Sequence, residues 1–102
     1  MRAYVVVEID VHDPKGFETY KGLSPAGVAA YGGTYLVRGA KTTTLEGTWD
    51  PKRFVILEFP TADKARAWWN SPEYAPAKAL RQKCATTQML LVEGPPFDPA
   101  AK

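Results

Sequence analysis

Arg38, Glu58 and Tyr4 are the residues of this chain whose types combine into chemistry. A guanidinium holds the carboxylate or enolate of a small acid through paired N–H donors. A carboxyl group transfers protons, and a phenol adds a hydrogen-bond donor. Glu8 and Glu93 are further acids in strand-like segments. A second set, His12, Trp49, Trp68, Trp69 and Tyr74, offers large side chains with one polar end, which suits the wall of a pocket for an aromatic or apolar ligand. Trp68 and Trp69 are neighbours on an expected helix and cannot face the same way, so one is core and the other faces a pocket or a partner chain. His12 is the sole histidine and Cys84 the sole cysteine, so one chain can build neither a histidine cluster nor a thiolate cluster; no metal and no cofactor is expected. Cys84 ends an expected helix, where the negative pole of the dipole disfavours a thiolate, and it reads as structural. Ser71, followed by Pro72 and Glu73, reads as a helix cap rather than a nucleophile.

These side chains are positioned by seven or so segments. Ala3 to Val11 is rich in β-branched residues and reads as a strand. Asp13-Pro14 caps and opens a helix carrying Phe17 and Tyr20 on one face, and Ser24-Pro25 repeats the signal, so this helix is expected to break and restart before Gly32-Gly33. Thr34 to Gly39 is the second strand, and Arg53 to Phe59, after a loop with Trp49, Asp50 and Pro51, is the third. A helix from Pro60-Thr61 through Ala65, Trp68 and Trp69 precedes another running to about Lys83, which Pro76 should kink or delay. Gln88 to Glu93 is the fourth strand. The order strand-helix-strand-strand-helix-strand with two right-handed crossovers gives an α+β, ferredoxin-like β-α-β-β-α-β domain, with antiparallel sheet order 4-1-3-2 and helices on one face. One domain is expected over residues 1–94, with a proline-rich tail at 95–102.

Three of the four strands are apolar on both sides, so both sheet faces need cover. Alternation assigns Val5, Val7, Ile9, Tyr35, Val37, Val55, Leu57, Phe59, Leu90 and Val92 to the helix side. Tyr4, Val6, Leu36, Phe54, Ile56, Met89 and Leu91 fall on the open side, together with Glu8, Arg38, Glu58 and Glu93. A patch of that extent calls for a partner, and a second copy packed sheet to sheet satisfies the preference for two-fold symmetry, so a homodimer is expected. In register, Glu93, Tyr4, Glu58 and Arg38 would form one row across the open face.

With 45% hydrophobic and 24% charged residues in 102, the chain is expected to fold around one core. The net charge of +2 is scattered without a basic run, so nucleic acid is not an expected partner. Apolar runs fall short of the ~20 residues that span a bilayer, and no signal segment is read at the N-terminus, so no membrane contact and a cytoplasmic location are expected.

Several segments together carry a resemblance: Tyr31-Gly32-Gly33-Thr34-Tyr35-Leu36-Val37-Arg38-Gly39, Leu45-Glu46-Gly47-Thr48-Trp49, Val55-Ile56-Leu57-Glu58-Phe59-Pro60, Ala67-Trp68-Trp69-Asn70-Ser71-Pro72-Glu73-Tyr74 and Val92-Glu93-Gly94. From Ala3 to Gly94 the chain resembles the family called domain of unknown function 1330, within the dimeric α+β barrel superfamily. Pro76 and the C-terminal tail depart from the pattern. The resemblance implies two subunits whose sheets face each other, with a cavity between sheet and helices in each. Superfamily relatives include cofactor-free monooxygenases, lactone isomerases and haem enzymes, so it implies no single chemistry. Two readings stay open. One is a small enzyme without metal or organic cofactor, moving protons or oxygen on a small organic or aromatic acid, with Arg38 binding the anion, Glu58 transferring protons and Tyr4 donating a hydrogen bond. The other is a non-catalytic ligand-binding or structural homodimer in which Arg38 and Glu58 pair and Glu93 is solvated.

Overall fold

A computed structural model describes residues 1–94 and residue 100. The expected proline-rich tail, 95–102, lies apart from Ala100 outside the described residues. Strand β1 (Ala3–Val11) is followed by helix α1 (Pro14–Ala30), strands β2 (Thr34–Ala40) and β3 (Arg53–Phe59), helices α2 (Ala62–Trp69) and α3 (Ala75–Cys84), and strand β4 (Ala85–Glu93). The sheet is antiparallel with order β2-β3-β1-β4, which is the expected 4-1-3-2 read from the other edge. No described helix is long and apolar enough to cross a membrane.

Local chemistry explains the boundaries. The Asp13 carboxylate accepts the Gly16 N–H at 3.2 Å, and Pro14 opens α1, where its missing N–H costs nothing. Thr61 caps α2 by accepting the Lys64 N–H at 3.1 Å. Ser71 Oγ donates to the Trp68 carbonyl at 2.7 Å and accepts the Tyr74 N–H at 3.1 Å, which turns the chain between α2 and α3. Pro76 sits in the first turn of α3, where backbone N–H groups have no partner inside the helix, so α3 begins at Ala75 rather than at Ser71-Pro72.

Three expectations change. The α1 helix runs unbroken through Ser24-Pro25, because Ser24 is buried with its hydroxyl engaged by other side chains instead of capping a new turn. Strand β4 starts directly after α3, at buried Ala85, and this sets its phase. Leu91 and Met89 therefore pair with Val5 and Val7 on the helix side, whereas Leu90 (67% exposed) and Val92 (46% exposed) take the open side, the reverse of the expected assignment. The third change is in β2, where the register shifts between Tyr35 and Val37 and again between Arg38 and Ala40. A bulge at Leu36 inverts the alternation beyond it, so Arg38 lies opposite Val55, a helix-side residue.

The core sits between the sheet and the helices. Val5, Val7, Ile9, Val55, Leu57 and Phe59 meet Phe17 and Val28 of α1, Ala65 and Trp68 of α2, and Tyr74, Ala77 and Cys84 around α3. The rings of Phe59, Trp68 and Tyr74 follow one another at centroid separations of 5.3 and 4.4 Å.

Candidate functional site

Where β2, α1 and α3 converge, the core becomes polar. Tyr20 and Ser24 are one helical turn apart on α1, so both point at the sheet. Tyr20 shares a hydrogen bond with the Tyr74 hydroxyl at 3.0 Å, and Ser24 shares one with the Tyr35 hydroxyl of β2 at 2.9 Å. Ser24 lies 3.5 Å from the Tyr20 oxygen, which joins the two pairs into one chain of hydroxyls. Arg81, seven residues beyond Tyr74, donates its Nε–H to the Tyr74 hydroxyl at 3.4 Å and is only 3% exposed. The hydroxyls border a cavity of about 20 Å³, wide enough for one water molecule or one ligand oxygen.

Two other arginines, Arg38 and Arg53, line the cavity itself, whereas Arg81 reaches it only through Tyr74. Pro25 lacks the N–H that would bond the Lys21 carbonyl four residues earlier, and Arg38 Nη2 donates to that freed oxygen at 2.8 Å. The Arg38 guanidinium also lies over the Tyr35 ring, 4.8 Å from its centre. Arg53, at the start of β3, lies 5.2 Å from the Phe17 ring centre, and its buried Nε makes no hydrogen bond with any described residue. Gly39, at φ +71°, leaves the room it needs, since a Cβ there would collide with the Arg53 guanidinium.

The electrostatics are one-sided. Among the described residues the cavity walls contain no carboxylate and no imidazole, and Arg38, Arg53 and Arg81 have no acidic partner. Burial pushes the Tyr74 phenol well above its ordinary range, and the neighbouring Tyr20 adds to this. Burial also raises Tyr35, against the lowering effect of the Ser24 hydrogen bond. Both phenols are therefore proton-bearing donors at neutral pH. Such an arrangement holds an anion: guanidinium groups supply charge and phenols supply hydrogen bonds.

The expected row on the open face is only half assembled. Tyr4 and Glu58 do sit directly opposite each other. Arg38 is on the other side of the sheet because of the Leu36 bulge, and Glu58 pairs with Arg2 at 3.0 Å instead. Tyr4 faces Val92 rather than Glu93, which pairs with Ala3 and binds Arg66 of α2 at 2.7 Å. Glu8 accepts the Trp49 indole N–H at 2.8 Å, and Trp49 stands edge-on to Phe54, so the β2–β3 loop folds over one end of the open face. His12 is exposed at the end of β1, with its backbone N–H on the Cys84 carbonyl at 3.0 Å, away from the cavity. Trp68 is core and touches the cavity, Trp69 is partly exposed beneath Lys78, and Tyr74 belongs to the hydroxyl chain. Tyr20, Ser24, Tyr35, Arg53 and Arg81 were not among the expected site residues. The available signal was the Tyr20-x-x-x-Ser24 spacing on one helix face, beside a proline that frees a carbonyl.

Comparison with known proteins agrees with this architecture. A family model described as "Domain of unknown function (DUF1330)" matches residues 2–95. RPA0582, a protein of unknown function from Rhodopseudomonas palustris, is similar in structure with TM-score 0.75 at 16% identity, over 96% of this chain and 84% of that one. SnoaB, a cofactor-independent oxygenase from Streptomyces nogalater, aligns with TM-score 0.63 at 19% identity, over 96% of this chain and 97% of that one. An uncharacterized NIPSNAP domain protein from Burkholderia xenovorans aligns with TM-score 0.55 at 12% identity, over 97% and 99% of the two chains. At these identities the likeness is one of fold. None of the curated proteins matches the chain.

Proposed function

Because the chain belongs to the DUF1330 family, whose description assigns no activity, we propose a function from the site itself: binding of a small organic or aromatic acid, as its anion, between sheet and helices. The observation that carries this is the pair Arg38 and Arg53 on the cavity wall, with Arg81 behind Tyr74, all three without an acidic partner among the described residues, beside one chain of hydroxyls. One ligand oxygen fills the 20 Å³ cavity and accepts from Tyr74 or Tyr35, and the arginines balance its charge. The same groups stabilise an enolate or phenolate, the anion that takes up a proton or reacts with dioxygen without a cofactor. Proton transfer or oxygenation is thus the chemistry that the site supports, and the fold shared with SnoaB is compatible with it. The proposed role of Arg38 as anion binder is kept, on the opposite face from Glu58 and Tyr4.

The test is isothermal titration with benzoate. Arg38→Met and Arg53→Met should each weaken binding tenfold or more while the chain remains folded. A folded Arg38→Met protein that binds benzoate as well as the parent refutes the reading. A second reading, binding without turnover, draws on the absence of a carboxylate or imidazole among the described residues of the cavity walls. Incubating an enolisable acid with the protein in D₂O separates the two, since only an enzyme accelerates deuterium uptake at the α-carbon.

We propose further that a second copy covers the open face. Tyr4, Val6, Ile56, Leu90 and Val92 share that face, and two of its acids are already engaged, Glu58 by Arg2 and Glu8 by Trp49. A face with its charges matched locally packs against a copy of itself at little desolvation cost.

A further inference from the structure

The cavity admits one oxygen, so the body of any acid bound there must lie elsewhere. A groove of about 270 Å³ runs between α2 and the β1–β4 side of the sheet, lined by Val5, Ala65, Trp68, Trp69, Met89 and Leu91, with Arg66 and Asn70 also on its walls. Trp68 and Met89 line both spaces, which makes these two side chains the shared partition. Trp68 is 1% exposed, yet its buried indole N–H makes no hydrogen bond with any described residue. A buried donor left unpaired costs free energy, and the second carboxylate oxygen, for which the 20 Å³ cavity has no room, would satisfy it at the partition. Met89 is the other half of the wall, and its unbranched side chain changes rotamer without disturbing the backbone pairing with Val7.

Resting on the anion-binding reading above, we propose that the groove is the second chamber of the same site. It accepts the apolar tail of a carboxylic acid whose head is held by the arginines, and Met89 is the movable gate between them. The substrate class is accordingly an acid with an extended apolar body rather than a compact one. The Arg66 guanidinium is held by Glu93 and Asp63, so the groove lacks the unpaired charge that marks the head site.

The experiment measures binding of unbranched carboxylates from acetate to decanoate by titration calorimetry. Affinity should rise by about fourfold per added methylene once the tail passes Met89. Trp69→Ala, a partly exposed position whose loss spares the core, and Leu91→Trp, which fills the groove, should each lower the decanoate-to-acetate affinity ratio tenfold or more. Met89→Ala should raise the rate of decanoate association. Acetate binding with no chain-length dependence, or a ratio unmoved by both groove variants, overturns the second chamber and leaves the head site standing. Absence of binding by every acid overturns both.

Discussion

Tyr74 concentrates the tension of this molecule in one side chain. Its phenol is fully buried, hydrogen-bonded to Tyr20 and Arg81, and pushed well above the ordinary value of 10.0. The unfolded chain releases that proton near pH 10 while the folded chain retains it, so folding binds more protons in this range. The Tyr74 contribution is therefore constant below pH 10 and declines as pH climbs through the folded value, by about 1.4 kcal/mol per pH unit in that window. Denaturant titrations between pH 8 and 12 should show this fall, and Tyr74→Phe should make it shallower. At neutral pH the same variant should be less stable by roughly 1–3 kcal/mol, because the buried Arg81 guanidinium loses its acceptor. At this scale the sequence showed which residue types bind anions but not which ones meet. Arg38 was legible as an anion binder; its companions Arg53 and Arg81 were not, because they converge from β3 and α3 across long sequence separations.

At the scale of elements, Pro25 is more informative as a structural device than as a helix breaker. It leaves the Lys21 carbonyl free, and Arg38 takes that oxygen. Pro25→Ala should close the helical hydrogen bond and raise stability by roughly 1–2 kcal/mol. It should also weaken benzoate binding several-fold by releasing Arg38, so the two measurements should move in opposite directions. Gly33 illustrates the reverse case. A Cβ there would lie 2.7 Å from both Phe59 and Val28, and Gly33→Ala should cost about 1–3 kcal/mol in chemical denaturation. Strands β1 and β3 were legible to the residue, since apolar runs bounded by turn signals leave little choice. The phase of β4 was not. Met89 and Leu91 are as apolar as Leu90 and Val92, and only the buried junction of Cys84 with Ala85 decides between them.

One sheet face is covered by the chain's own helices, and among the described residues only Trp49 and its loop fold over the other. Light scattering at low micromolar concentration should return twice the chain mass. Ile56→Lys, which places a cation amid Tyr4, Val6, Leu90 and Val92, should shift the population to monomer. A parent protein that is monomeric and well folded at that concentration refutes the paired-sheet assembly. The element order and crossover rule made the sheet order and the one-sided helix layer legible from the chain alone, whereas the bulge in β2 left no mark in the apolar pattern.

That bulge has a consequence for how the site can be gained or lost. A strand is read two residues at a time, and the extra residue at Leu36 acts as a frameshift: everything before it keeps one phase and Arg38 takes the other. Deleting Leu36 should therefore remove the bulge and leave Arg38 opposite Val55 on the helix side, whereas straightening the strand at its full length would turn the guanidinium to the open face. Substitutions that flatten the bulge without shortening the strand, leaving Arg38 itself untouched, would then be the direct route by which the domain moves its charge from one face of the sheet to the other.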